Sequence, residues 1–236
     1  MGLLPDSPGI LNRLGNLTAL STSEVIVYPR TYAEPASEAQ RSVVSTSTSD
    51  TDSGGSGAKV LRIIYLDSNY VLTYEDVVLN GTTPVNTVAS NIRFIECLCV
   101  IKGTYAVGAV KLMSTTGGGG TEVAAVPAGN TQTLFAHHYV PAGKQCLVLE
   151  WGATVDHDCK LKLIGQDRQD GVNLVDRHLD LQALTGMRAN LGAGLLEFNR
   201  KFIGMPLEEK TYVRITAVPS SATSTLIRAR LTLWEP

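Results

Sequence analysis

The sequence has few charges, few aromatic residues and few cysteines, and each shortage argues against a class of protein. Charged residues make up 18% of the 236 positions and leave a net charge of −2. Proteins that bind nucleic acid usually cluster Lys and Arg, because neutralising phosphates supplies most of their affinity. The sequence shows no such cluster. We therefore expect no direct contact with nucleic acid.

Long apolar segments are also missing. The opening residues, MGLLPD, show no basic run followed by an apolar core, which argues against a secretory signal. No stretch approaches the ~20 apolar residues that a membrane-spanning helix needs. We expect a protein that is made in a cytoplasm and has no membrane partner.

The four cysteines are too few for a disulfide scaffold. Cys97 and Cys99 are two positions apart, so they share one face of a strand. Cys146 and Cys159 do not form a second pair at zinc-ligand spacing, and no regular histidine pattern accompanies them. The pattern favours four small, buried, reduced hydrophobic residues over a metal site.

What the sequence does contain is β-strand patterning. Apolar and polar residues alternate through residues 159–163, 212–217 and 226–233, which predicts strands with one face in a core. Residues 92–101 are apolar at both alternating sets of positions, which is typical of a strand covered on both sides. The most helix-like segment, residues 179–191, contains Gly186 and is predicted to be irregular.

Short turns separate these strands. Residues 60–66 and 70–79 flank Asp67-Ser68-Asn69, which tolerate left-handed backbone, and this predicts a β-hairpin. Roughly ten short strands at this spacing indicate an antiparallel β-sandwich of jelly-roll type. With mostly aliphatic residues in a chain that is 44% hydrophobic, the core should be aliphatic.

The first ~40 residues lack this regularity and contain Pro5, Pro8, Pro29 and Pro35. Their apolar residues are irregularly spaced, so we expect an extended docking arm over residues 1–40 and a single sandwich domain over residues 41–236. The arm is expected to lie across a neighbouring subunit and to be loose in the monomer. Removing residues 1–38 should then leave the sandwich folded.

Two loops resemble ligand sites only superficially. Residues 117–121 (GGGGT) lack the Lys-Ser/Thr ending of a phosphate-binding loop, which favours a flexible hairpin tip. Residues 50–55 (DTDSGG) resemble the start of a calcium loop, but Leu61 stands where a bidentate Glu is required. A solvated turn is therefore the preferred interpretation.

Three further groups could carry chemistry. His137 and His138 are adjacent on a predicted strand, so they point to opposite faces and cannot share a metal ion. Asp156-His157-Asp158-Cys159 combines carboxylate, imidazole and thiol groups, which could form an activated nucleophile, although a polar turn leading into a strand explains these residues better. Paired glycosidase carboxylates are not distinguishable in the sequence. We assign no catalytic, cofactor-binding or metal-ligating residue, and we expect no enzyme activity.

One family has a similar order of motifs. Residues 49–60 (SDTDSGGSGAKV) resemble the S-x-x-D-T-x-x-G-x-G-A-R segment of virion structural proteins from tailed phages of aquatic bacteria. Residues 65–70 (YLDSNY) are similar to the family's G-L-D-A-N-W/Y, with Tyr65 in place of Gly and Lys59 in place of Arg. The resemblance continues in order through residues 78–85, 91–93, 128–134, 139–144 and 202–216.

This resemblance implies a structural subunit of a tailed-phage virion: a head decoration, collar or tail accessory protein assembled in the host cytoplasm. Its expected partners are other virion proteins and copies of itself, bound through repeated packing interfaces. A receptor- or glycan-binding module of a tail or fibre, with host surface glycan as its ligand, is the alternative. The family offers no catalytic residues to carry over, and the resemblance does not extend to residues 1–40.

Overall fold

The structure, a computed structural model, describes residues 9–19, 25–27, 32–155, 159–167, 196–219 and 225–236. Strands fill most of these residues, and this part of the chain contains one 3₁₀ turn and no α-helix. The strand pairings within it are antiparallel. The predicted all-β antiparallel fold is confirmed. No helix in these segments is long and apolar enough to span a membrane.

The chain forms two compact units. The discontinuous unit comprises Met1–Pro29 and Leu134–Pro236, and the inserted unit comprises Arg30–Thr133. The first segment contributes β1 (Gly9–Ala19) and β2 (Val25–Ile26). The inserted unit contains β3 (Ser42–Ser45), β4 (Ala58–Leu66), β5 (Leu72–Val78), β6 (Val85–Asn86), β7 (Phe94–Gly103), β8 (Val110–Met113) and β9 (Glu122–Val126). The last segment contributes β10 (His137–Tyr139), β11 (Cys146–Val155), β12 (Cys159–Asp167), β13 (Leu196–Leu207), β14 (Thr211–Pro219) and β15 (Thr225–Glu235).

Two sheets build the discontinuous unit. One has the strand order β1-β15-β11-β13, and the other has the order β10-β14-β12 with β2 paired to β14. Alternate residues of both sheets enter one hydrophobic cluster, which includes Leu11, Trp151, Leu163, Ile215 and Leu231. Two sheets that share a core through their inner faces form a β-sandwich.

The N-terminal strand is an integral part of this sandwich. β1 pairs with β15 from Gly9↔Glu235 to Ala19↔Thr225, and Leu11 lies in the core. A Cβ atom added to Gly15 would lie 2.5 Å from the Val27 carbonyl oxygen and 2.7 Å from the Ala136 Cβ. Glycine at this position therefore permits close packing of the chain.

This arrangement differs from the predicted arm over residues 1–40. Residues 9–19 pair within their own chain, so they do not need a neighbouring subunit to become ordered. The irregular spacing of apolar residues was misleading because the partner strand lies at the other end of the sequence. The division into two units also differs from the predicted single domain over residues 41–236.

The inserted unit contains two sheets, with strand orders β6-β3-β8-β9 and β5-β4-β7. Its buried side chains are mainly aliphatic, as the composition predicted; they include Val43, Leu61, Ile63, Leu98 and Leu112. The strand β7 was predicted to be buried on both faces, but it is only partly buried. Its first residues are buried, but Cys97 and Cys99 are half-buried and Ile101 is exposed.

The predicted hairpin is confirmed, with β4 and β5 paired up to Leu66↔Leu72. The Asp67 carboxylate accepts hydrogen bonds from the backbone N–H groups of Asn69 (2.8 Å) and Val71 (3.0 Å). The loop is longer than predicted because Tyr70 also belongs to it, with φ of +62°. Burial of Tyr70 and its ring contact with Phe94 (4.6 Å between centroids) offset the cost of that backbone conformation.

Candidate functional sites

The motif at residues 49–60 contains a completely buried carboxylate. Asp50 is 0% exposed. Its Oδ1 accepts hydrogen bonds from the N–H groups of Ala58 (3.0 Å) and Val107 (2.8 Å). Its Oδ2 accepts them from the Gly108 N–H (2.8 Å) and the Ser45 hydroxyl (2.6 Å). One side chain thereby ties together β3, β4 and the loop before β8, a junction that we call the Asp50 staple.

The backbone around Asp50 continues the staple. The Gly81 N–H donates to the Asp50 carbonyl oxygen (2.8 Å), and the Asp52 N–H donates to the Leu79 carbonyl oxygen (3.2 Å). A Cβ atom at Gly57 would overlap the Asp50 carboxylate. One buried junction thus accounts for Asp50 and Gly57 of residues 49–60 and brings Leu79 and Gly81 of residues 78–85 against them.

This geometry corrects the interpretation of residues 50–55 as a solvated turn. Asp52 is at the surface, with an ion pair to Lys102 at 2.8 Å that lowers the pKa of its carboxyl group. Asp50 is not solvated, because sequence alone does not show where distant N–H groups converge. Calcium also fits Asp50 poorly, since four N–H and O–H donors already face its oxygens and donors repel a cation.

A second cluster joins the two sheets of the discontinuous unit. His138 on β10, Cys146 on β11 and Glu235 on β15 offer ligand atoms within 4.8 Å of one another. Among the described residues, this is the one group of three or more such side chains. His, Cys and Glu are all zinc ligands. The sequence did not predict this cluster, because its members are far apart in the chain.

Hydrogen bonding argues for a structural role of this cluster. Nε2 of His138 lies 2.8 Å from Oε1 of Glu235, and Nδ1 lies 3.4 Å from Nη2 of Arg13. A guanidinium can only donate, so Nδ1 accepts a hydrogen bond from Arg13 and Nε2–H donates one to the Glu235 carboxylate. Metal binding through Nε2 would place the ring proton on Nδ1, facing a donor. The cluster is better suited to linking β1, β10 and β15.

His137 faces the opposite side of β10, as predicted. Its ring packs against Phe135 and Tyr139, with centroid distances of 4.9 and 5.4 Å. The Tyr212 hydroxyl oxygen lies 3.4 Å from Nδ1 of His137, and the Tyr139 and Tyr212 rings stack at 4.2 Å. These buried rings form an aromatic layer, and the two adjacent histidines do not share a site.

The cysteines are less buried than predicted. All four are free in the structure, but only Cys146 is fully buried. Burial raises the pKa of the Cys159 thiol to about 11. A hydrogen bond with Cys97, followed by burial, raises the pKa of Cys99. Both thiols are therefore poor nucleophiles at neutral pH.

The glycine-rich segment is a loop between two strands. Residues 114–121 connect β8 to β9, which confirms a hairpin tip. The N–H groups of Gly117 and Gly118 donate to Asn86 Oδ1 (2.7 Å) and Ser42 Oγ (2.9 Å), so side chains occupy the amides that a phosphate would use. Residues 156–158 and 179–191 lie outside the described residues.

Exposed and half-buried apolar side chains form a row across one sheet of the discontinuous unit. Ile10 on β1 pairs with Trp234 on β15, Trp234 pairs with Leu147 on β11, and Leu147 pairs with Pro206 on β13. Directly paired residues point to the same face of a sheet. Ile10 is 60% exposed and Trp234 is 38% exposed. We call this set the apolar row; it crosses all four strands.

No protein-family model matches the chain, and no curated protein matches it. Solved structures that align with it include the Gx strain of infectious bursal disease virus, at 15% identity and a TM-score of 0.24. That alignment covers 98% of this chain and 74% of the viral chain. T=1 particles derived from infectious bursal virus align at 15% identity and a TM-score of 0.26, covering 98% and 71% of the two chains. At these scores the alignments do not establish a shared fold.

Proposed function

We propose that the chain is a structural component of a tailed-phage virion and that it acts by packing against other virion proteins and copies of itself. It would serve as a head decoration, collar or tail accessory subunit and would catalyse no reaction. The apolar row carries this proposal, because exposed apolar patches on folded proteins mark interaction sites.

The position of the row suits a packing role. Among the described strands, β1 stands at one end of the sheet order β1-β15-β11-β13. Such an edge can pair with another chain. Leu14, on the same face of β1 as Ile10, is also exposed. An apolar row that reaches the last strand of its sheet offers a partner both apolar surface to bury and a strand to pair with.

The motif resemblance supplies the second support. Its segments at residues 49–60 and 78–85 meet in the Asp50 staple, so the resemblance includes residues that determine the fold of the inserted unit. A buried aspartate with Gly57 packed against it is more than a turn by itself requires. The order of the motifs is thus compatible with a shared architecture.

The exposed aromatic residues give the glycan-binding alternative less support than the apolar row gives the packing role. Sugar platforms require open ring faces, and the Arg62 guanidinium covers the Tyr74 ring at 4.1 Å from its centroid. Tyr105 and Trp234 are exposed, but they belong to different units. Binding of host polysaccharide by the purified chain would favour this alternative.

The test is quantitative mass spectrometry of purified phage particles produced with wild-type or variant chain. We expect a fixed copy number per particle for the wild type. Ile10→Asp and Trp234→Ala should reduce incorporation at unchanged soluble expression. Val88→Ser is the matched control, because Val88 is 89% exposed but lies in a loop of the inserted unit.

Three results would contradict the proposal: absence of the chain from purified particles, normal incorporation of both row variants, or release of sugars from polysaccharide by the purified chain.

A further inference from the structure

The inserted unit buries an arginine without a carboxylate partner. Arg41, immediately before β3, is 4% exposed. Its guanidinium donates to three backbone carbonyl oxygens: those of Ser114 (2.6 Å), Ser37 (2.6 Å) and Ile92 (3.1 Å). Among the described residues, no carboxylate forms a hydrogen bond or ion pair with it. The hydrogen bonds of this buried positive charge therefore go to neutral carbonyl groups.

A second arginine lies nearby. Burial lowers the pKa of Arg41, and the charge of Arg93 lowers it further. Arg93 packs over the Phe94 ring, with its guanidinium carbon 4.5 Å from the centroid. Its nearest carboxylate oxygen, on Glu34, is 3.8 Å away, which is too long for a hydrogen bond. Among the described residues, Glu34 is the one carboxylate that forms an ion pair with either arginine.

Both guanidinium groups also have unused donors. Nε of Arg41 and Nη1 of Arg93 are buried atoms without a hydrogen-bond partner. Buried N–H groups are almost always paired in folded proteins, and unpaired ones on charged groups are especially unfavourable. Arg41 donates to the carbonyl oxygen of Ile92, the residue before Arg93, so the two arginines lie in one region of the inserted unit. One bound anion there would offset the excess positive charge and accept from the unpaired N–H groups.

We propose that Arg41 and Arg93 together bind one small monovalent anion, of the size of chloride, inside the inserted unit. The size follows from the burial of Arg41, since a partner's side chain would need an opening to reach it. The single charge follows from two arginines and one carboxylate. This site does not depend on the proposed virion role.

The first measurement is the chloride-35 NMR linewidth in the presence of the full chain. We expect broadening by the wild-type protein that nitrate or iodide removes by competition. Arg93→Gln should abolish the broadening. Arg62→Gln is the matched control: it also removes an arginine from the inserted unit, but Arg62 is a surface residue paired with Asp76 at 2.7 Å.

The second measurement is thermal unfolding at constant ionic strength, with chloride exchanged for the bulkier gluconate. A tenfold excess of anion over its dissociation constant should raise the Tm of the wild type by roughly 4 °C. Arg93→Gln should show no such dependence. Equal Tm values for the wild type in chloride and gluconate, or competition-sensitive broadening that survives in Arg93→Gln, would overturn the site.

Discussion

The carboxylate of Asp50 accepts a hydrogen bond from the backbone N–H of Gly108, 58 positions later in the chain and 2.8 Å away. Together with Ser45, Ala58 and Val107, this contact fixes a junction that local sequence does not reveal. The junction determines how β3 and β4 are placed in the inserted unit, and it is the most direct target for mutation.

Replacing Asp50 with Asn should destabilise the protein by about 3 kcal/mol or more. The NH₂ group of Asn would replace one carboxylate oxygen and would then face hydrogen-bond donors, and the charge-assisted hydrogen bonds would be lost. Urea unfolding measures the change. Asp52→Asn is the control, since Asp52 lies at the surface beside Lys102. Its unfolding midpoint should not move, and equal midpoints for the two variants would contradict a special role for Asp50.

The strand β1 should contribute to stability as a core element. Leu11→Ala is expected to cost about 2–5 kcal/mol, because Leu11 is buried in the core of the discontinuous unit. Leu14→Ala, three residues along the same strand at an exposed position, should stay within about 0.5 kcal/mol. Chemical unfolding of both variants checks this. If the free energy of unfolding fell by a similarly small amount in both variants, β1 would be a loosely docked arm and not a core strand.

Alkylation of Cys159 should be slow at neutral pH. With its pKa raised from 9.0 to about 11 by burial, the reactive thiolate fraction at pH 8 is lower by roughly a hundredfold. Peptide mapping after timed iodoacetamide labelling, at several pH values, measures the rate against a free thiol. If the alkylation rate of Cys159 rose with a midpoint near pH 9, the pKa of its thiol would not be raised.

The same shift links Cys159 to stability. The folded state keeps the proton to higher pH than the unfolded state does, so unfolding releases a proton between pH 9 and about 11. The contribution of this thiol is therefore present below pH 9 and is lost as pH rises through 11. Cys159→Ser should flatten that part of the stability profile.

The cluster of His138, Cys146 and Glu235 should remain metal-free. Its histidine is expected to accept from Arg13 and to donate to Glu235, which leaves no lone pair for zinc. Elemental analysis after incubation with zinc and desalting should give well below one zinc per chain. Stoichiometric zinc that His138→Ala removes would reverse this assignment.

Sequence patterns located most strands because their cause is local. Residues 212–217 and 226–233 alternate with a period of two, and successive side chains of any strand point to opposite faces. The hairpin at Asp67 was predictable for the same reason, since its turn is stabilised within five residues. These features required no knowledge of distant partners.

The tertiary structure decided what local patterns cannot specify. β1 was predicted to be an external arm because its partner β15 is at the opposite end of the sequence. Asp50 was predicted to be solvated because its donors come from residues 45, 58, 107 and 108. Pairing across such separations depends on which surfaces meet after the chain folds, and periodicity carries no information on that choice. The sequence by itself determined the all-β class and the positions of many strands along the chain; the structure alone determined their pairing, the two units, the buried junction and the burial of Arg41 without a carboxylate partner.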